Sequence, residues 1–431
     1  MEKANEKYQV YLQILEEELI PAMGCTEPIA IAYGAAKGRE VLGALPDRVL
    51  VEASGNIIKN VKSAVVPNTG GQRGIEAAAA AGVVAGRADR LLEVIAEVTE
   101  EEQAAIAAFQ AQVPFQVKRL DSGLVFDIWI TLWKGKSYVR LRLANFHTNL
   151  VYLEKNGEML LDLPVESGQE TGTADQSLLN MRDIFDFVQT VDVKDVEALL
   201  ERQISYNMAI SDEGMRGDYG ANIGSVLRDA YQAGDTAQKA KAAAAAGSDA
   251  RMSGCGMPVI INSGSGNQGI TASVPVIVYA RELGSDQETL YRALTLSNLV
   301  TIHQKRRIGR LSAYCGAVSA GAAAGAGIAY LNGGTYEDVI HTVVNALAIV
   351  SGMVCDGAKA SCAGKIAAAV DAGILGYRMY QAGQQFYGGD GILSKGVEAT
   401  LENVGRLGKV GMKGTDREIL SIMLGEAPEE C

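Results

Sequence analysis

Residues 124–157 read LVFDIWITLWKGKSYVRLRLANFHTNLVYLEKNG. Val, Ile, Leu and aromatic residues fill short runs here. Gly135-Lys136 separates two of them and Asn156-Gly157 follows the last, the composition of strands joined by tight turns. Segments 124–133, 137–143 and 149–154 are therefore expected strands. Working outward, 48–53, 57–66, 91–98 and 115–120 share the same texture, and Asp121-Ser122-Gly123 supplies a further turn. Apolar stretches with helical spacing at 72–86 and 100–112 interrupt these runs. The region from about 45 to 165 thus reads as an α+β domain.

On either side the texture is helical. Residues 5–20 carry apolar positions at helical spacing up to Pro21, and a second helix is expected from Glu27-Pro28 to about Arg39, with Thr26 as its N-cap. From 174 to 431 nearly everything reads as helix, separated by glycine- and proline-bearing junctions at 214–220, 253–258, 262–269, 332–334 and 351–357. The expected fold class is α+β: a large, mainly helical domain at 174–431, with the smaller domain at 45–165 inserted. The N-terminal helices at 1–44 are expected to pack on the helical domain. That arrangement would bring Gly24-Cys25-Thr26-Glu27-Pro28 beside the C-terminal loops.

Length and composition agree with a two-part globular protein. The chain has 431 residues, of which 48% are hydrophobic and 21% charged. Its 49 glycines and the alanine runs at 77–81 and 242–246 predict helices that approach closely around a compact site. A net charge of −12 argues against nucleic acid as a partner. The uncharged stretch Ala313 to Leu331 is mostly Ala and Gly, so a buried helix is expected there instead of a membrane span. The N-terminal residues show no signal-peptide pattern, and a cytosolic location is expected. The composition leaves room for a homodimer.

Six cysteines occur, at 25, 255, 315, 355, 362 and 431. Cys315 opens a small-residue helix, and Cys355 and Cys362 bracket a glycine-containing turn. Soft thiolates on short loops suit an iron–sulfur cluster or zinc, though three buried core thiols would look the same by spacing alone. The loop Ser263-Gly264-Ser265-Gly266-Asn267-Gln268 precedes an apolar helix, so its backbone N–H groups can receive a carboxylate or phosphate. Asn68-Thr69-Gly70-Gly71 is a weaker instance of the same idea.

Four passages resemble the L-cysteine desulfidase family, which is related to the α-chain of the iron–sulfur L-serine dehydratases. They are Pro21-Ala22-Met23-Gly24-Cys25-Thr26-Glu27-Pro28, Asn262 to Gly269, Gly309-Arg310-Leu311-Ser312-Ala313-Tyr314-Cys315-Gly316-Ala317, and Gly352-Met353-Val354-Cys355-Asp356-Gly357. The resemblance implies a [4Fe–4S] cluster held by Cys315, Cys355 and Cys362, with one iron open to substrate. Six residues separate Cys355 from Cys362, a shorter gap than in the related serine dehydratases. The resemblance also points to Cys25 as the base that removes the substrate α-proton, or as a ligand that substrate displaces. A helix N-terminus and nearby cations would favour its thiolate.

The implied reaction converts L-cysteine to hydrogen sulfide, ammonia and pyruvate, with the amino-acid carboxylate on residues 263–268. L-serine dehydration is the nearest alternative. A pyridoxal phosphate β-eliminase and a non-catalytic iron–sulfur sensor are further rivals. Glu27 is expected to complement the helix dipole, and His303 and His341 to be structural. His147 sits at a strand edge, from which it could face the site. Lys305, Arg306 and Arg310 could neutralise substrate or cluster, and Cys431 could reach back to the open iron. Cys255 lies in a turn where any small residue suffices.

Overall fold

The computed structural model describes residues 1–165, 174–230 and 234–426. The tail carrying Cys431 lies outside the described residues. The chain opens with α1 (Glu6–Glu18), N-capped by the Asn5 side chain, then a short strand β1 (Pro21–Met23) and α2 (Thr26–Leu42). Next come β2 (Arg48–Ser54), α3 (Gly55–Val61), α4 (Gly74–Ala85) and α5 (Glu100–Gln112), the last closed by a Thr99/Glu102 capping box. Five strands follow: β3 (Phe115–Leu120), β4 (Asp127–Lys134), β5 (Ser137–Ala144), β6 (Leu150–Lys155) and β7 (Glu158–Asp162).

These strands and β2 form one six-stranded sheet in the order β3-β2-β4-β5-β6-β7, antiparallel except for the β2–β3 pair. Register places Val51 opposite Ile130 and Ile130 opposite Leu141, so one face is continuously aliphatic. The opposite face carries Trp129, with the Arg140 guanidinium 4.3 Å from its ring centroid. α2 covers the aliphatic face. A Cβ at Gly34 would come within 2.8 Å of Ile130 Cδ1, so glycine sets how closely this helix can lie on the sheet.

The C-terminal part is helical: α6 (Met181–Thr190), α7 (Glu197–Arg216), α8 (Ile223–Ala230), α9 (Thr236–Met252), α10 (Gly266–Leu283), α11 (Gln287–Ile308), α12 (Gly316–Leu331), α13 (Tyr336–Val350), α14 (Ser361–Gln381), α15 (Val397–Arg406) and α16 (Lys413–Leu424). α12 lies at its centre, packed by α10, α11, α13 and α14. Its contact with α14 is backbone on backbone, since a Cβ at Gly373 would stand 2.2 Å from the Gly321 carbonyl oxygen. Among the described residues no helix is long and apolar enough to cross a membrane. The architecture is a mainly helical α+β fold.

Several local readings change. Residues 57–66, expected as strand, contain α3, because Ile57, Ile58 and Val61 fall on one helical face and are all buried. Residues 91–98 form no strand. They continue a 3-10 turn over Ala88–Glu93, in which Leu91 has φ +51° and is exposed. β7 was not foreseen. Asn156 and Gly157 both take positive φ, turning the chain into a strand whose Met159 and Leu160 face solvent. Cys25, not Thr26, occupies the N-cap of α2.

The two N-terminal helices also divide, where the sequence reading groups them on the helical domain. α1 lies against the helical part, with Tyr8 and Tyr11 edge-on to Phe187. α2 belongs to the sheet by contact, because its small-residue face fits the aliphatic strands. Between them β1 pairs antiparallel with β8 (Pro258–Ile260), matching Ala22 with Val259. This two-stranded ribbon delivers the start of α2 to the helical part.

Candidate functional site

The ribbon ends at Gly24, and the next residues enter a cavity of about 980 Å³ between the two parts. From the sheet side it is lined by Cys25, Thr26, Glu27, Asn60, residues 123–126, Asn145 and His147. From the helical side it is lined by Arg251, Ser263, Gly264, Ser265, Asn267, Gln268, Lys305, Arg310, Cys315, Cys355 and Cys362, with Lys413 and Asp416 of α16 at one edge. Cys25, Cys315, Cys355 and Cys362 therefore face one space. So do the substrate-loop residues except Gly266, which packs behind it against Arg251.

Local structure explains the convergence. Cys25 is the N-cap of α2, Ser265 of α10 and Cys315 of α12, and Cys362 stands in the first turn of α14. None of these three caps makes a side-chain cap hydrogen bond. The cavity thus collects the positive ends of several helices, an environment suited to anions. Cys315 and Cys355 are tied by a two-way bridge: Cys315 N–H donates to Met353 O at 3.1 Å, and Cys355 N–H to Ala313 O at 2.6 Å. The loop leading to Cys362 is braced by Lys359 and Lys365, which both pair with Asp356.

Electrostatics separates the four thiols. Burial pushes the Cys315 thiol up to about 12, with the neighbouring Cys355 and Cys362 adding to the effect. Burial and Cys355 likewise raise Cys362. Cys315, Cys355 and Cys362, beside the buried Lys305, line one cavity and are soft donors of the type that holds iron or zinc. Among the described residues no three His, Cys, Asp or Glu side chains are grouped to hold a single metal ion. A polynuclear cluster takes one thiolate per iron, so it asks sulfurs to line a common cavity and not to meet at one point. Lys305 is pulled down to about 8 by burial, against the pull of Cys355 and Cys315.

Cys25 is different. Its Sγ lies 3.0 Å from Glu27 Oε2, and burial together with the Glu27 charge raises the thiol well above its ordinary value. The expectation that the helix terminus and cations favour a thiolate is overturned: Cys25 rests as a thiol donating to Glu27. Glu27 is buried and also accepts from Asn60 Nδ2 at 3.0 Å, with Thr26 Oγ1 3.1 Å from Oε2. Burial opposes its charge, but the Cys25 hydrogen bond, its own backbone N–H and the Arg251 charge hold it below the usual carboxylate range. It is therefore more than the dipole-complementing acid expected from sequence.

The 263–269 loop closes the floor. Ser263 and Gly264 take φ of +50° and +79°, and the Gly264 carbonyl accepts from Thr26 Oγ1 at 2.9 Å, locking the loop to the start of α2. Gln268 lines the cavity with its buried Oε1 unpartnered. His147 packs edge-on to Phe126, leaves Nε2 unpartnered and is lowered by burial to about 4, so it is neutral near pH 7.

The remaining candidates lie elsewhere or are already paired. Arg310 pairs with Glu18, and Arg306 donates to Gln176 O at 2.6 Å. His303 is buried with Nε2 3.0 Å from Glu398, tying α11 to α15. His341 stacks on Tyr380. Asn68 donates to Ile95 O and Ala96 O, away from the cavity, and Cys255 is buried outside it. Arg251 escaped the sequence reading. It is the last basic residue of α9, and nothing in its neighbours announces that it will be buried at the cavity.

Comparison with known proteins identifies the family. The family model described as serine dehydratase alpha chain matches residues 89–421. A UPF0597 protein of Desulfitobacterium hafniense is 60% identical over 99% of both chains. UPF0597 proteins of Treponema denticola and Lachnoclostridium phytofermentans are 47% and 49% identical over 97% of this chain, and over 99% and 100% of their own lengths. The matched span covers most of the chain and contains all three candidate cluster cysteines and the 263–269 loop, which points to an enzyme of the dehydratase or lyase type. This chain belongs to the serine dehydratase alpha-chain family.

Proposed function

We propose that this protein is an iron–sulfur-dependent lyase that eliminates the β-substituent of L-cysteine, giving hydrogen sulfide, ammonia and pyruvate with uptake of one water. The observation that carries the reading is the meeting in one cavity of Cys315, Cys355 and Cys362 with the Cys25–Glu27 pair, among convergent helix N-termini. Cys315, Cys355 and Cys362 would hold a [4Fe–4S] cluster, whose open iron supplies Lewis-acid assistance to the departing β-heteroatom.

This chain's own residues do the rest. The amino-acid carboxylate sits at the 263–268 loop. Cys25 is the group placed to remove the substrate α-proton. Burial and the Glu27 charge hold its thiol well above the ordinary value, so substrate binding has to drive off its own proton, and the 3.0 Å hydrogen bond to Glu27 keeps the sulfur in place. Neutral His147 and the loops at 123–126 and 145–147 cover the cavity from the sheet side and limit water. L-serine is the second candidate, favoured by the family match, since its β-hydroxyl can occupy the same position.

The test is anaerobic purification followed by parallel assays on L-cysteine and L-serine. About four iron and four labile sulfide per chain are expected, with sulfide and pyruvate released in equal amounts from L-cysteine. Pyruvate from L-serine alone would transfer the assignment to serine dehydration. Turnover without iron, abolished by borohydride, would overturn the cluster in favour of pyridoxal phosphate.

A further inference from the structure

Arg251 is only 3% exposed, yet among the described residues no hydrogen bond or ion pair reaches it, and its Nε is buried without a partner. A buried guanidinium normally has a bidentate acidic partner, because desolvating it alone is costly. The carboxylate whose charge acts on it is Glu27, and that group is already hydrogen-bonded by Cys25 and Asn60. Arg251 lines the cavity at the end of α9, and the loop leading into α10 is shaped around it. A Cβ at Gly266 would fall 2.3 Å from Arg251 Nε and 2.7 Å from Cζ.

Arg251 thus presents to the cavity a buried cation without a hydrogen-bond partner, whereas Glu27 already has its donors. A buried cation without a partner at a cavity wall complements a carboxylate, which an amino acid carries on the same carbon as its ammonium. Lys305 is the other buried cation of the cavity, but it faces Cys315 and Cys355.

We propose that Arg251 binds the α-carboxylate of the amino-acid substrate, with Gly266 keeping the space its guanidinium needs. This inference rests on the reading of the cavity as an amino-acid site and adds to it the group that selects the carboxylate. A fork of N–H donors in a water-poor cavity distinguishes a carboxylate from a carboxamide, which carries no charge and has a single acceptor oxygen.

The experiment uses the anaerobically purified holoprotein with L-alanine, which lacks a β-leaving group, and L-alaninamide as probes, each titrated by ligand-observed NMR. The wild type should bind L-alanine more tightly than L-alaninamide. Arg251→Gln should weaken L-alanine binding on the order of 10- to 100-fold and leave L-alaninamide unchanged, erasing the preference while iron content stays constant. Arg251→Lys should restore part of it. Gly266→Ala, which keeps the charge but displaces the guanidinium, should also erase the preference, giving a second route if Arg251→Gln does not fold. Failure of the wild type to bind L-alanine would overturn the amino-acid reading itself. An unchanged carboxylate preference in folded Arg251→Gln or Gly266→Ala would overturn the role of Arg251 alone.

Discussion

The two parts that meet at the cavity are built by different packing and contribute different chemistry. The sheet part holds α2 on an aliphatic face through side chains such as Ile130, Leu132 and Leu141. It contributes Cys25, Glu27, Asn60 and His147, the groups able to move or hold a proton. The helical part is assembled by backbone approach, with Gly321 and Gly373 in mutual contact. It contributes the three candidate cluster cysteines, Arg251 and the 263–268 loop, which hold charge and position. Helices separated only by glycine have little freedom to shift, which suits ligands whose placement must not drift. Side-chain packing against a sheet is more forgiving, and there the reacting residues are instead fixed by hydrogen bonds such as Thr26 to Gly264.

This division is broken most forcefully from the helical side. Cys315→Ala should remove the cluster, with iron content and turnover both falling to background. If it keeps full iron content, Cys315 is not a ligand. On the sheet side, Cys25→Ala and Glu27→Gln should each retain iron yet lose turnover by about 10²- to 10⁴-fold, the range of a general base. A double variant no worse than either single would show that the two act as one unit.

Packing gives the next effect. Gly373→Ala drives a methyl group into the Gly321 carbonyl and should cost about 1–3 kcal/mol or more. Gly34→Ala meets only the movable ends of Ile130, Leu141 and Leu143 and should cost less than about 1.5 kcal/mol. Denaturant midpoints of the two variants measure the contrast directly, and equal losses would erase it.

The smallest effects are in pH. His147 on the sheet side is lowered by burial from 6.5 to about 4, so the unfolded chain binds its proton first and stability falls as pH drops from 6.5 towards 4. Asp249 on the helical side is raised by burial from 3.8 to about 6, so the native state holds its proton longer and stability falls as pH rises from 3.8 to 6. Each slope amounts to about 1–3 kcal/mol over its window, and the two nearly cancel. His147→Gln should leave a net loss on raising the pH, and Asp249→Asn a net loss on lowering it. Urea unfolding from pH 4 to 7 reads both signs.

Much of this protein is legible in its residues. Alternation and turn pairs at 115–154 set four strands close to their final bounds, because in-plane pairing is largely a local matter of period and turn chemistry. Helical period did the same for α4 and α5. The motif passages contain Cys25, Cys315, Cys355 and the 263–269 loop, and Cys362 follows six residues after Cys355. Only the tertiary structure decided that 57–61 coils, that α2 lies on the sheet, and that Cys25 rests protonated against Glu27. It alone revealed Arg251 and the unpartnered nitrogen of His147. Burial, the lack of a partner and a shifted proton affinity are properties of what surrounds a group, and that surrounding is assembled from segments hundreds of residues apart.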